Sequence, residues 1–158
     1  MTNIRWPRGL YQAQFRAQII ENLDKVLNGN MLVIDPASKT LGYATTVNGA
    51  VIDTGTIELS ENIPVNQRLQ ELVALLYNEA EYDILGIEMI RGKMAHHYLK
   101  FSVGAVIGAV HAPACIEVPI SSWKAYAGKQ HKKSDEADAI AMAETIIALA
   151  KEIRDESK

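Results

Sequence analysis

The chain has 158 residues, 48% of them hydrophobic, one cysteine and a formal net charge of −3. That is enough apolar matter for a single domain with a sizeable core, and the weak acidity does not by itself announce a nucleic-acid partner. A lone Cys115 in an apolar run excludes a disulfide framework and fits a reducing intracellular, cytoplasmic setting.

Residues 1–30 read as an N-terminal helical extension. An irregular Trp6-Pro7 segment precedes Tyr11, Phe15, Ile19, Leu23 and Val26/Leu27 at helical spacing, and Asn28-Gly29-Asn30 is the stop. This predicts one amphipathic helix that docks on the core or on a second subunit. The segment is Arg-rich and acid-free up to Glu21 and has no apolar signal-peptide region, so organelle targeting stays open beside a cytoplasmic address.

Residues 31–158 read as the main domain. Strands are expected over Met31–Asp35, Leu41–Val47 and Val51–Leu59, the last two joined by the hairpin dipeptide Asn48-Gly49. A helix from Pro64 to about Glu81 follows, then strand Ile84–Glu88, a helix over roughly Ala95–His111 and strand Ala114–Val118. A helical turn is expected at Ser122–Tyr126, and a long final helix starts after the N-cap Ser134 and ends near Arg154. The order β-β-β-α-β-α-β-α describes an α/β fold with a five-stranded mixed sheet flanked by helices, strands one and four being parallel neighbours. The apolar stretch Phe101–Ile116 is broken by His111 and Pro113 and is too short to span a membrane.

Four acids fall at telling places in that order. Asp35 and Glu88 each end a short apolar strand, so neighbouring strands would set them side by side. Asp135 and Asp138 open the last helix at i, i+3 spacing, on one face and roughly 5–6 Å apart between Cβ atoms. Carboxylates gathered like this cannot stay ionised without partners, and the usual remedy is divalent cations held through oxygen. A surface or capping role would suit Asp135 alone. It does not explain Glu88 at the end of an apolar strand.

The charge distribution adds a positive side. No acid lies between Glu88 and Glu117, where Arg91, Lys93 and Lys100 fall, and none from Val118 to Ser134, where Lys124, Lys129, Lys132 and Lys133 fall. Such stretches can offer a phosphate a positive face in a protein of negative total charge. The plain alternative for each lysine is a solvated surface charge.

Over about Met31–Leu149 the chain resembles the RuvC-like Holliday junction resolvases of the retroviral-integrase/RNase H superfamily. The resemblance is carried by Ile34-Asp35-Pro36-Ala37-Ser38-Lys39-Thr40-Leu41-Gly42-Tyr43-Ala44, Ile87-Glu88, Trp123-Lys124…Gly128-Lys129 and Asp135-Glu136-Ala137-Asp138-Ala139-Ile140-Ala141, in that order. The chain departs from the family pattern at Ala37, where Gly is usual, at Arg91, where an aromatic is usual, and in having only six residues between Gly128 and Asp135. The resemblance implies an RNase H-like fold and a homodimeric endonuclease that nicks four-way DNA junctions symmetrically. It implies Asp35, Glu88, Asp135 and Asp138 as catalytic and metal-binding residues for two Mg²⁺ (or Mn²⁺) ions about 3.5–4 Å apart. Lys132 is taken as the catalytic cation beside the scissile phosphate, with His131 and Lys133 as the other candidates for that role. Ser38, Lys39, Arg91, Lys93, Lys124, Lys129 and Lys133 are the expected DNA contacts. No small-molecule cofactor and no membrane partner are expected.

The helix Ala95–His111 carries Gly104-x-x-x-Gly108, small residues that suit either a dimer contact or tight packing on its own sheet. His96-His97 are adjacent and point in different directions on a helix, which disfavours a shared metal. Asp135–Asp138 spells the helicase box Asp-Glu-Ala-Asp, yet no Gly-rich phosphate loop ending Gly-Lys-[Ser/Thr] exists, and the box opens a helix instead of ending a strand. An actin-like ATPase needs two such domains and a far longer chain. The remaining rivals are an RNase H-like ribonuclease acting on RNA–DNA hybrid or ribosomal RNA precursor, and a catalytically inert module that binds branched DNA.

Overall fold

The computed structural model describes residues 4–36, 40–77, 81–90 and 97–158, with the side chains of 97–101 excepted. Five strands are seen: β1 Asn30–Pro36, β2 Thr40–Val47, β3 Ala50–Glu58, β4 Ile84–Glu88 and β5 Ala114–Val118. They form one mixed sheet in the order β3-β2-β1-β4-β5. β1 pairs antiparallel with β2 and parallel with β4, as the strand order predicted. The β2–β3 hairpin turns at Asn48 and Gly49, with φ of 52° and 73°. Two successive left-handed residues are what a tight hairpin requires, and Asn-Gly supplies them at low steric cost.

Helices α1 Leu10–Glu21, α2 Leu23–Asn28, α3 Val65–Tyr77, α4 His97–Ala109, α5 Ile120–Ala127 and α6 Asp135–Glu156 flank the sheet. Strand side chains alternate between two cores. Met31, Val33, Ile84 and Ile116 face a cluster with Phe15, Ile19, Val26, Met142, Ile146 and Ala150, so α1, α2 and α6 cover that side. Leu32, Ile34, Leu85 and Ile87 face the other, with Leu72, Leu76 and Val106 of α3 and α4.

The expected single N-terminal helix is two. It breaks at Asn22 (φ −118°, ψ 21°), whose amide nitrogen donates 2.8 Å back to the Gln18 carbonyl. An Asx side chain competes in this way with the helix's own ladder, and apolar periodicity does not register it. Phe15, Ile19 and Val26 are fully buried, each worth roughly 1.5–3 kcal/mol of burial. The N-terminal helices therefore share the core of the main domain. α5 is a true eight-residue helix, not a single turn, and α3 ends at Tyr77 before residues outside the description. Among the described residues no helix is long and apolar enough to cross a membrane, and Cys115 is free and half-buried.

Candidate active site

The β1–β4 register sets Met31 opposite Ile84 and Ile34 opposite Ile87, so the next residue on each strand is Asp35 and Glu88. By alternation both acids lie on the Val33/Gly86 face, which α6 covers. α6 arrives with its N-terminus over β2. An added Cβ on Gly42 would overlap the backbone of Asp135 and Glu136, so only glycine permits this approach. Gly42 is itself the cross-strand partner of Asp35. One short stretch of sheet thus brings together β1, β4 and the first turn of α6.

That first turn is held from several sides. The Ser134 hydroxyl accepts the Ala137 N–H at 3.0 Å as an N-cap, and Asp135, Glu136 and Asp138 occupy the positive end of the helix dipole. The Thr40 hydroxyl of β2 donates to the Asp135 carboxylate. The Thr54 hydroxyl of β3 donates to Glu136 at 2.7 Å. His131 Nε2 lies 2.6 Å from Asp138 Oδ1, and its ring meets Trp123 edge-on at 5.4 Å between centroids.

Electrostatics register the convergence. Burial, then the charges of Glu88, Asp138 and Asp135 and a hydrogen bond with Asp138, push the Asp35 carboxyl up to about 8. Burial and Asp138 also raise Glu88, while Lys124 pulls it back down. These are carboxylates without enough positive charge among the described residues to balance them.

Glu88, Asp135 and Asp138 line an open cleft of about 640 Å³. Lys124, Lys129, His131 and Lys133 line it too, and Lys124 Nζ lies 5.8 Å from the Trp123 ring centroid. Lys132 is not among them: its side chain lines a separate hollow with Tyr126 and Glu144. Ser38, Lys39, Arg91, Lys93 and His96 lie outside the described residues, as does the side chain of His97.

The donor set suits a hard cation, since every candidate ligand is a carboxylate oxygen. Among the described residues no three acids or imidazoles stand ready to grip one ion together. Asp135 bonds to Thr40 and Asp138 to His131, while Asp138 also shares a hydrogen bond with Asp35. Mg²⁺ keeps much of its water and needs only one or two carboxylates, so acids converging in pairs fit it.

No protein-family model matches the chain, and no curated protein matches it. Among solved structures, Thermus thermophilus RuvC matches with a TM-score of 0.59 and 18% identity over 79% of this chain and 96% of that one. The T. thermophilus RuvC complex with a Holliday junction substrate matches with a TM-score of 0.57 and 17% identity, over 78% and 96%. The fold is RuvC-like. At these identities the likeness is one of fold.

Within the RuvC-like fold, three contacts carry no mark in the sequence. Thr40 and Thr54 touch Asp135 and Glu136 across 95 and 82 residues of chain, and no local pattern marks such pairs. The sequence offers His131 as a possible phosphate partner, whereas its contact is Asp138, seven residues on. Gly42 stood in the quoted motif, and its role in admitting α6 emerges only from the packing.

Proposed function

We propose that this chain is a divalent-cation-dependent endonuclease that resolves four-way DNA junctions by paired nicks, acting as a homodimer. The observation that carries the reading is the convergence of Asp35, Glu88, Asp135 and Asp138 beside a lysine-lined cleft. An acid pushed up to about 8 by burial, and further by three acidic neighbours, is costly to ionise unless a cation joins it. Asp35 and Glu88, rigid at strand ends, and Asp135 and Asp138, on the first turn of α6, would hold the cations. When bound, such ions supply an activated water and stabilise the departing oxygen of the phosphodiester. Thr40 orients Asp135 and His131 orients Asp138. Lys124, Lys129 and Lys133 bind backbone phosphates along the cleft and keep the scissile strand in line.

Junction selectivity draws support from the neighbour solved with a Holliday junction substrate. Dimer formation draws support from α4. Among the described residues nothing lies within 4 Å of where a Cβ on Gly104 or Gly108 would sit, and Ile107 between them is 47% exposed. This favours a contact with a second copy over packing on the chain's own sheet, since it leaves an apolar face open among the described residues.

The deciding experiment incubates the protein with a labelled four-way junction, matched linear duplex and RNA–DNA hybrid, in Mg²⁺, Mn²⁺ or EDTA. Paired symmetric nicks in the junction alone, lost in EDTA, are expected. Cutting of the hybrid would move the assignment to a ribonuclease, and binding without cutting to an inert module.

A further inference from the structure

The segment before α1 presents a charged surface that junction cleavage leaves unused. Residues 4–8 are non-helical, and Trp6 anchors them. Its ring packs against the α6-side core, and its Nε1 donates to Glu152 at 2.6 Å. The neighbouring Arg5 stays exposed. Together with Ile4 it lines a hollow of about 640 Å³ whose other polar walls include Tyr126, His131, Lys132 and Glu144.

Charge in that hollow is lopsided. Its one carboxylate, Glu144, accepts the Tyr126 hydroxyl at 3.0 Å. Burial pushes that phenol up to about 12, so it keeps its proton and stays on Glu144. Arg5 and Lys132 stand exposed, and no described acid forms an ion pair with either. The segment 128–133 is a ridge between two depressions. Lys129 and Lys133 line the cleft, Gln130 and Lys132 line the hollow, and His131 borders both. The hollow thus adjoins the acid-lined cleft, with Ala127 and His131 lining both.

We propose that Arg5 and Lys132 form a phosphate-binding strip that receives a duplex arm of DNA as it leaves the cleft. The inference rests on the nuclease reading and adds a role for the N-terminal segment. A guanidinium and an ammonium, exposed on one hollow and without an ion-pair partner among the described residues, suit the phosphate backbone and carry no means of reading bases. The strip therefore contributes sequence-independent affinity that grows with arm length.

The test measures binding in an Asp35→Asn background, which prevents cleavage, with and without Arg5→Ala and Lys132→Ala. Junctions with long arms are compared with junctions whose arms are too short to pass the ridge, across a salt series. Each lost phosphate contact lowers the slope of log K against log salt by about 0.9. The double variant should lose about 2 from that slope on long arms and nothing on short ones. Both side chains are exposed, so its melting temperature should match the parent's. An unchanged slope on long arms overturns the strip while leaving the nuclease reading intact. Failure of the parent to bind any junction overturns both.

Discussion

The backbone of Asp135 rests directly on Gly42, leaving no room for a side chain between helix α6 and strand β2. Since Gly42 pairs across the strands with Asp35, the helix acids and the strand acid meet through this one contact. A Gly42→Ala variant must lift the start of α6, because its Cβ faces backbone and no rotamer change relieves the overlap. Overpacking of this kind costs typically 1–3 kcal/mol, about 1–3 here. The expected result is a lowered melting temperature and loss of nicking, with junction binding reduced far less.

The metal-free protein should lose stability as pH rises. Asp35 has an ordinary value of 3.8 and is held near 8 in the fold, so the folded state keeps that proton more tightly than the unfolded chain. The associated stability is fully present below about pH 4 and is lost as pH climbs to about 8. Thermal melts in EDTA should fall across that window by an amount equivalent to roughly a few kcal/mol. Asp35→Asn should flatten the trend, and Mg²⁺ should raise the melting temperature more at pH 8 than at pH 5. The same substitution should abolish nicking and leave junction binding intact.

Lys124 is the cation that lowers Glu88 against burial and Asp138. Removing it in Lys124→Ala leaves Glu88 higher still. Less of that carboxylate is then ionised at a given pH, so the acid limb of the nicking profile should shift to higher pH. The Mg²⁺ requirement should rise alongside it. Loss of a phosphate contact should also reduce the salt slope of binding by about 0.9.

Thr40→Val keeps the shape of the side chain and deletes the donor to Asp135. One hydrogen bond contributes about 1 kcal/mol, so nicking should slow by about fivefold with binding unchanged. A variant with parental rates would mean that Asp135 needs no orientation from β2.

On α4, Ile107→Glu places a charge on the exposed apolar face between Gly104 and Gly108. Sedimentation should show a dimer for the parent and a monomer for the variant, whose nicks should fall singly instead of in opposed pairs.

Much of this arrangement was legible in the chain. The apolar runs ending in Asp35 and Glu88 and the Asn48-Gly49 turn specify strands and register locally, because burial and left-handed φ constrain which residues fit. Ser134 with three acids in the following turn marks the start of α6 in the same way. Less legible was whatever depends on a distant partner. Asn22 breaks the first helix by bonding backward, and Thr40 and Thr54 gain meaning only when β2 and β3 meet α6. Lys132 and Lys133 face different depressions because they lie in a non-helical segment without period. No amphipathic rule assigns their sides.

The start of α6 at Asp135, late in the chain, also bears on when the acid cluster exists at all. Asp35 and Glu88 leave the ribosome before α6, which packs on elements that all precede it in the chain. Chains fold from their N-terminal end as they are made, so a growing chain holds half a cluster and cannot gather all four acids. On the proposed reading the last helix completes the acid set, and a chain ending before residue 135 would lack Asp135 and Asp138 and should not nick DNA.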